Sequence, residues 1–244
     1  MVFLYILAAL LGILLLYLLF LTVCALAVRR GSEYDRDSRF YRAVLTGVDR
    51  MLLLLMGIRL HVSGTEKLPV GQKIVFVSNH RSNIDPIVQW AALREWKPAF
   101  LSKAENFRIP IIGRLILKCC FMPIDRENAR NALKTIRRAA ALVKADEVSI
   151  GVYPEGTRSK TGALLPFHNG VFKIAQLADA PLAVLAMRGT EQTRVNFPLR
   201  RTHVFIEVLE VLPAESLRHR RTEEIGTEVA QRITAALSAH SPSD

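Results

Sequence analysis

From Val2 to Val28 no side chain carries a charge, and Leu, Ile, Val, Ala and Phe fill most positions. As a helix this run would be about 40 Å long at 1.5 Å per residue. A hydrocarbon core needs about 20 apolar residues, so the run is long enough to cross it with some tilt. A cleaved signal peptide is the competing reading. It calls for basic residues before a shorter apolar stretch, and none precede this one. Arg29, Arg30, Arg36, Arg39 and Arg42 follow the run. Basic flanks stay on the cytoplasmic side. The expectation is a transmembrane anchor over 1–30, with the remaining chain on the cytoplasmic face.

The next segment changes period. Between Tyr41 and Ile58, Val44, Leu45, Val48, Met51, Leu52, Leu55 and Met56 recur at helical spacing, and Asp49 and Arg50 interrupt them. The charges argue against a second span. Segment 31–59 is expected to be an amphipathic helix at the lipid interface, with an ordinary core helix as the alternative.

From Leu60 onward two periods alternate. Short β-branched or aromatic runs bounded by turn residues predict strands at Leu60–Ser63, Ile74–Ser78, Ala99–Ser102, Phe121–Ile124, Val148–Tyr153, Leu182–Met187 and His203–Val211. Helical patterns fall at Pro86–Arg94, Ile109–Lys118, Glu127–Ala145 and Gly170–Ala178, and a last amphipathic helix at Glu215–Ala239. Ser241–Asp244 is expected to fray. Such alternation predicts an α/β domain over 60–244, a mixed sheet flanked by helices.

Charge narrows the partners. Lys and Arg total 33 against 22 Asp and Glu, a net of +11. Nucleic acid, an anionic membrane surface and an anionic substrate all fit that surplus. The basic residues are not interleaved with aromatics as a nucleic-acid groove would need, so no nucleic-acid partner is expected. Cys24, Cys119 and Cys120 lack metal-site spacing and read as buried, reduced thiols. No G-x-S-x-G elbow, phosphate-binding Walker loop, G-x-G-x-x-G or H-E-x-x-H occurs.

Four loops hold residues suited to chemistry. In Ser78–Pro86, His80 and Asp85 bracket a turn between a strand and a helix start. A turn can fold them together, so that the carboxylate binds one ring nitrogen and leaves the other as a base. The alternative is a helix-capping Asp85 and a turn histidine. In Tyr153–Ser159, Gly156 permits a tight turn and Arg158 offers a planar fork for phosphate. Thr157 adds a hydroxyl there, and Glu155 is placed to orient the arginine or bind a substrate hydroxyl. Lys103 and Arg126 are further candidates for phosphate contact. The fourth loop runs from Phe167 to Lys173. His61, His203, His219 and His240 read as structural or exposed.

Together these blocks resemble the glycerolipid acyltransferase family, in particular 1-acylglycerol-3-phosphate acyltransferases. Asn79-His80 with Asp85 matches its N-H-x4-D block, and Pro154-Glu155-Gly156-Thr157-Arg158-Ser159 its P-E-G-T-R-S block. Lys103, Ile109-Pro110, Gly113 and Ile124-Asp125-Arg126 are similar to the block between them. One departure is Val184, where the family often has a second proline after the one matching Pro181. The resemblance implies that His80 is the general base and Asp85 its orienting partner. It places Lys103, Arg126, Glu155, Gly156, Thr157 and Arg158 at the substrate. It implies an acyl-CoA or acyl-carrier-protein thioester as co-substrate, a membrane lipid acceptor, an anionic membrane surface as partner, and no cofactor or metal. Another lysolipid, glycerol 3-phosphate, or non-catalytic binding of anionic lipid are the alternatives.

Overall fold

The first helix, α1 (Val2–Leu26), is apolar throughout and almost wholly uncovered, since only Leu21, Cys24 and Ala25 within it are buried. It is long and apolar enough to cross a membrane. The computed structural model describes residues 1–159 and 161–239; the frayed end expected at Ser241–Asp244, and His240, lie outside them.

The second helix, α2 (Arg39–Leu55), starts where the Ser38 side chain accepts from the Tyr41 N–H. Leu45 and Val48 bury one face against Leu21, Cys24 and Ala25 of α1 and against Trp90, Phe100 and Leu115 of the domain. Phe40, Leu54 and Leu55 stay exposed. One face therefore belongs to a core, and the other carries uncovered apolar groups. Asp49 lies within the buried face, and loss of solvent pushes its carboxyl up to about 7.

The domain is built on seven strands: β1 (Ile58–Ser63), β2 (Val75–Ser78), β3 (Pro98–Ser102), β4 (Met122–Pro123), β5 (Ser149–Val152), β6 (Leu182–Arg188) and β7 (Thr202–Leu212). Their order is β1-β7-β6-β2-β5-β3-β4. All pairs are parallel except β6–β7, so the sheet is mixed, as expected. The central strands are buried on both faces and read as continuous apolar runs, whereas β7 alternates buried and exposed positions.

Helices cover the faces. They are α3 (Asp85–Ala92), α4 (Ile112–Leu115), α5 (Ala129–Lys144), α6 (Lys173–Ala178), α7 (Thr193–Asn196), α8 (Ala214–Leu217) and α9 (Thr222–Ser238). The Asn128 side chain caps α5 by accepting from Arg130 and Asn131. Ile136, Ala140 and Val143 of α5 and Ile225, Val229 and Ile233 of α9 all contribute to the main core.

Two expected helices are interrupted. Ile109–Lys118 breaks because Ile111 adopts φ 63°, which a continuous helix cannot contain, leaving a short α4 and a 3-10 turn. Glu215–Ala239 divides into α8 and α9 around residues 218–221. The three cysteines are free and buried. Burial raises the Cys120 thiol to about 12, and that of Cys119 further still, so both stay protonated near neutrality.

Candidate active site

Sheet polarity gathers the chemistry at one edge. Because β2, β3, β4, β5 and β6 run parallel, the loops after them all emerge together. The loop after β2 begins with Asn79, whose buried side-chain amide donates to the Met187 carbonyl at 2.9 Å and accepts from the Met187 N–H at 2.8 Å. That double contact ties the turn to β6 before His80 is reached.

Asp85 is fully buried in the first turn of α3. Its Oδ2 accepts from His80 Nδ1 at 2.7 Å, the Arg81 N–H at 2.7 Å and the Ser82 N–H at 2.8 Å. One carboxylate thus closes the turn and holds the imidazole, so the capping and orienting readings of Asp85 describe the same group. With Nδ1 engaged, Nε2 is left for the cleft that His80 lines. Beneath the imidazole, Tyr153 stacks at 4.4 Å between ring centroids. The tyrosine hydroxyl donates to Gln89 Oε1 at 2.9 Å, and Ser78 Oγ donates to the same oxygen at 3.3 Å. Burial pushes the Tyr153 phenol well above its ordinary value, which keeps this layer neutral.

Glu155 corrects the sequence reading. Instead of facing substrate it is buried, and its two oxygens accept main-chain N–H groups of His80 at 2.6 Å and Leu165 at 2.9 Å. The Ser159 N–H completes the tie by donating to the His80 carbonyl at 2.9 Å. Desolvation raises the Glu155 carboxyl above its usual value, and the two amides act in the other direction. Glu155 is therefore a strut between the second loop and the His80 turn.

The cleft measures about 540 Å³. Lys103, Arg126, Gly156, Thr157 and Arg158 line it together with His80, so five of the six residues expected around the substrate share one space with the histidine. Its apolar wall comes from Phe100, Phe121, Ile136 and Val152. Lys103 lies 3.6 Å from Glu105 with both side chains well exposed, a contact too hydrated to hold the lysine in place. Gly156 has φ +66°, and a Cβ there would come within 2.8 Å of the His168 ring.

His168, to which the sequence assigns no role, also lines the cleft. Its main-chain N–H donates to the Pro154 carbonyl at 2.8 Å, so the fourth loop is hung from the second. The only hint in the sequence was its place in the Phe167–Lys173 loop. Arg81 follows His80 directly but does not line the cleft. It spans to Glu191 at 3.2 Å and the Gly162 carbonyl at 2.9 Å, which makes it a loop tie. His61 and His203 are remote from the cleft and face each other at 2.9 Å on the β1–β7 surface, and His219 is exposed.

Known proteins place this arrangement. The chain is 30% identical over 164 residues to a coconut (Cocos nucifera) 1-acyl-sn-glycerol-3-phosphate acyltransferase, a match covering 67% of this chain and 49% of that protein. It is 28% identical to the sheep (Ovis aries) 1-acyl-sn-glycerol-3-phosphate acyltransferase alpha, over 83% of this chain and 70% of the relative. The chain thus spans about half the length of the plant relative. The crystal structure of the 1-acyl-sn-glycerophosphate acyltransferase PlsC from Thermotoga maritima superposes with a TM-score of 0.69 at 22% identity, covering 94% of this chain and 91% of that one, and so shares its fold. The acyltransferase family profile matches residues 59–188, and the chain belongs to that family.

Proposed function

We propose that this protein transfers a fatty acyl group from a thioester, acyl-CoA or acyl carrier protein, to the sn-2 hydroxyl of 1-acylglycerol 3-phosphate, giving phosphatidic acid. The observation that carries the reading is the His80–Asp85 pair, 2.7 Å apart, opening on a cleft walled by Lys103, Arg126 and Arg158. The coconut and sheep relatives, both named as 1-acyl-sn-glycerol-3-phosphate acyltransferases, support the acceptor.

In this mechanism Nε2 of His80 removes the acceptor hydroxyl proton as that oxygen attacks the thioester carbonyl. Asp85 stabilises the imidazolium that results. The tetrahedral intermediate collapses, the C–S bond breaks, and the imidazolium returns the proton to the leaving sulfur. Lys103, Arg126 and Arg158 hold the acceptor phosphate through charge-assisted hydrogen bonds. The apolar wall suits hydrocarbon, while Glu155 and Tyr153 keep His80 in position. The thioester is a co-substrate, and the proton transfers as written draw on no metal or redox group. The anchor over 1–30 and the interfacial segment 31–59 would hold the acyltransferase domain, 60–244, on the cytoplasmic face of the bilayer. There it meets a lipid acceptor in two dimensions, and its positive charge favours an anionic surface.

The test is direct. Full-length protein in vesicles is given acyl-CoA or acyl carrier protein with 1-acylglycerol 3-phosphate, glycerol 3-phosphate or an uncharged lysolipid, and products are weighed by mass spectrometry. Phosphatidic acid is the expected product. Thioester left unconsumed with every acceptor would leave only lipid binding, and preference for another acceptor would reassign the substrate.

A further inference from the structure

Exposed apolar side chains occur at a second place besides α1. Val195, Phe197 and Leu199, between β6 and β7, are all exposed, Leu199 to 92%. Leu54 and Leu55, at the end of α2, are exposed as well. The two groups adjoin. Gly57 packs against the backbone of Arg200 and Arg201, and the Thr202 N–H donates to the Gly57 carbonyl at 3.1 Å. Arg194, Arg200 and Arg201 are exposed and form no ion pair among the described residues.

Two independent geometric facts fix the direction in which this patch faces. The first is the pairing of α1 with α2. Tyr41 donates to the Cys24 carbonyl, the Phe40 and Phe20 rings are 6.5 Å apart, and the Tyr17 hydroxyl lies against Gly47. Rising numbers on α1 meet falling numbers on α2, so the helices are antiparallel. The end of α2 bearing Leu54 and Leu55 therefore points the way the uncovered part of α1 points. The second fact is sheet polarity. Since β7 is antiparallel to β6, and β1 parallel to β7, both begin at the edge where His80, Lys103 and Arg158 emerge. Residues 193–201 thus share an edge with the cleft.

We infer that the β6–β7 connection is a second membrane-contacting element, inserting Val195, Phe197 and Leu199 among acyl chains while Arg194, Arg200 and Arg201 meet anionic headgroups. The occupant is a lipid bilayer because the patch continues the apolar surface of α1 and α2. Apolar tips flanked by unpaired arginines also match the layered polarity of an interface. With α1 on one side and this loop on the other, the cleft edge is held flat to the surface from which a lipid substrate arrives. The inference rests on the reading that α1 enters a bilayer, and the experiment separates the two.

The experiment uses full-length protein in vesicles of phosphatidylcholine with phosphatidylglycerol. Nitroxide labels are placed singly at Leu199→Cys, at Leu11→Cys on α1, and at Val70→Cys. Val70 is as uncovered as Leu199, at 93%, but follows β1 and so lies at the opposite edge of the sheet. The native cysteines are buried. Collision rates with lipid-soluble oxygen and a water-soluble nickel chelate report immersion. The Leu199 label is expected to favour oxygen over nickel several-fold relative to the Val70 label. Converting Arg194, Arg200 and Arg201 together to Gln should shrink that preference in the anionic vesicles. A Leu199 label as open to nickel as the Val70 label overturns the inference, whatever α1 does. If the Leu11 label is immersed in those same vesicles, anchoring through α1 stands without it.

Discussion

The His80 turn and the cationic residues line the same cleft, yet they are built on opposite terms. In the turn, a buried carboxylate satisfies three donors, the Asn79 side chain just before His80 is clamped to β6, and Glu155 accepts the His80 main-chain N–H. Among the cations, Arg158 forms no ion pair among the described residues and Lys103 has only a hydrated contact with Glu105. A proton-transferring group must be positioned before substrate arrives, because misplacement is lost directly from rate. A phosphate-gripping group gains from reach, since its partner is mobile and supplies the charge that orders it. On the proposed mechanism, rigidity falls on the base and is withheld from the anion grip.

Substitutions on each side should separate those roles. The largest effect is expected at His80. His80→Ala should lower turnover by about 10²–10⁴-fold, with the fold retained but the melting temperature lowered, since buried Asp85 loses one donor and Tyr153 its stacked ring. Turnover near the parent's in a folded variant would remove His80 from the base role. Next comes Glu155→Ala, which leaves two amides without acceptors at about 1–3 kcal/mol each. Calorimetry should show a lower melting temperature, and steady-state kinetics a lower kcat with the acceptor KM nearly unchanged. A raised acceptor KM alone would return Glu155 to the substrate. Third, Arg158→Ala should raise the KM for a phosphate-bearing acceptor by about tenfold, the loss of one charged hydrogen bond, without altering stability. A shift in the donor KM alone would mean that this arginine serves the thioester carrier instead. Lys103→Ala should do the same more weakly.

The smallest effect on activity is expected at Asp49, which tests whether a buried carboxyl matters when nothing locks it. Its Oδ2 is buried without a partner, and its pKa is pushed from 3.8 up to about 7. Unfolded chains ionise this group at lower pH than the folded protein does. Its contribution therefore favours the folded state on the acid side, declines as pH rises from about 4 to 7, and stays unfavourable above. Asp49→Asn should flatten that part of the stability profile, by a few kcal/mol at most, and leave kcat intact. Denaturant midpoints measured across this window provide the check.

Much of this was legible beforehand because burial leaves a periodic trace. β2, β5 and β6 are continuous apolar runs, and α5 shows its stripe of Ile136, Ala140 and Val143, so their positions were fixed within a few residues. His80 and Asp85 could be paired because only five positions and one turn separate them. What stayed hidden depends on side-chain direction or on contacts far apart in sequence. Glu155 stands in a loop full of cleft-lining neighbours, and nothing local says that its carboxylate turns inward to amides at His80 and Leu165. His168 reaches the cleft only because its loop hangs from Pro154. The break at Ile111 has no glycine or proline at the residue that adopts the positive φ. The short α7 carries too few residues to show a period.

The clamp at Asn79 has a consequence for heredity of the fold. A strand normally ends where its last main-chain rung ends, but here a primary amide copies the donor and acceptor of a peptide group and adds one more rung to β6. Only asparagine has that pair of atoms at that reach: aspartate would set a lone pair against the Met187 carbonyl, and glutamine would overshoot. Changes in the packing of β6, far from any substrate, will thus be transmitted through this borrowed rung to the histidine beside it.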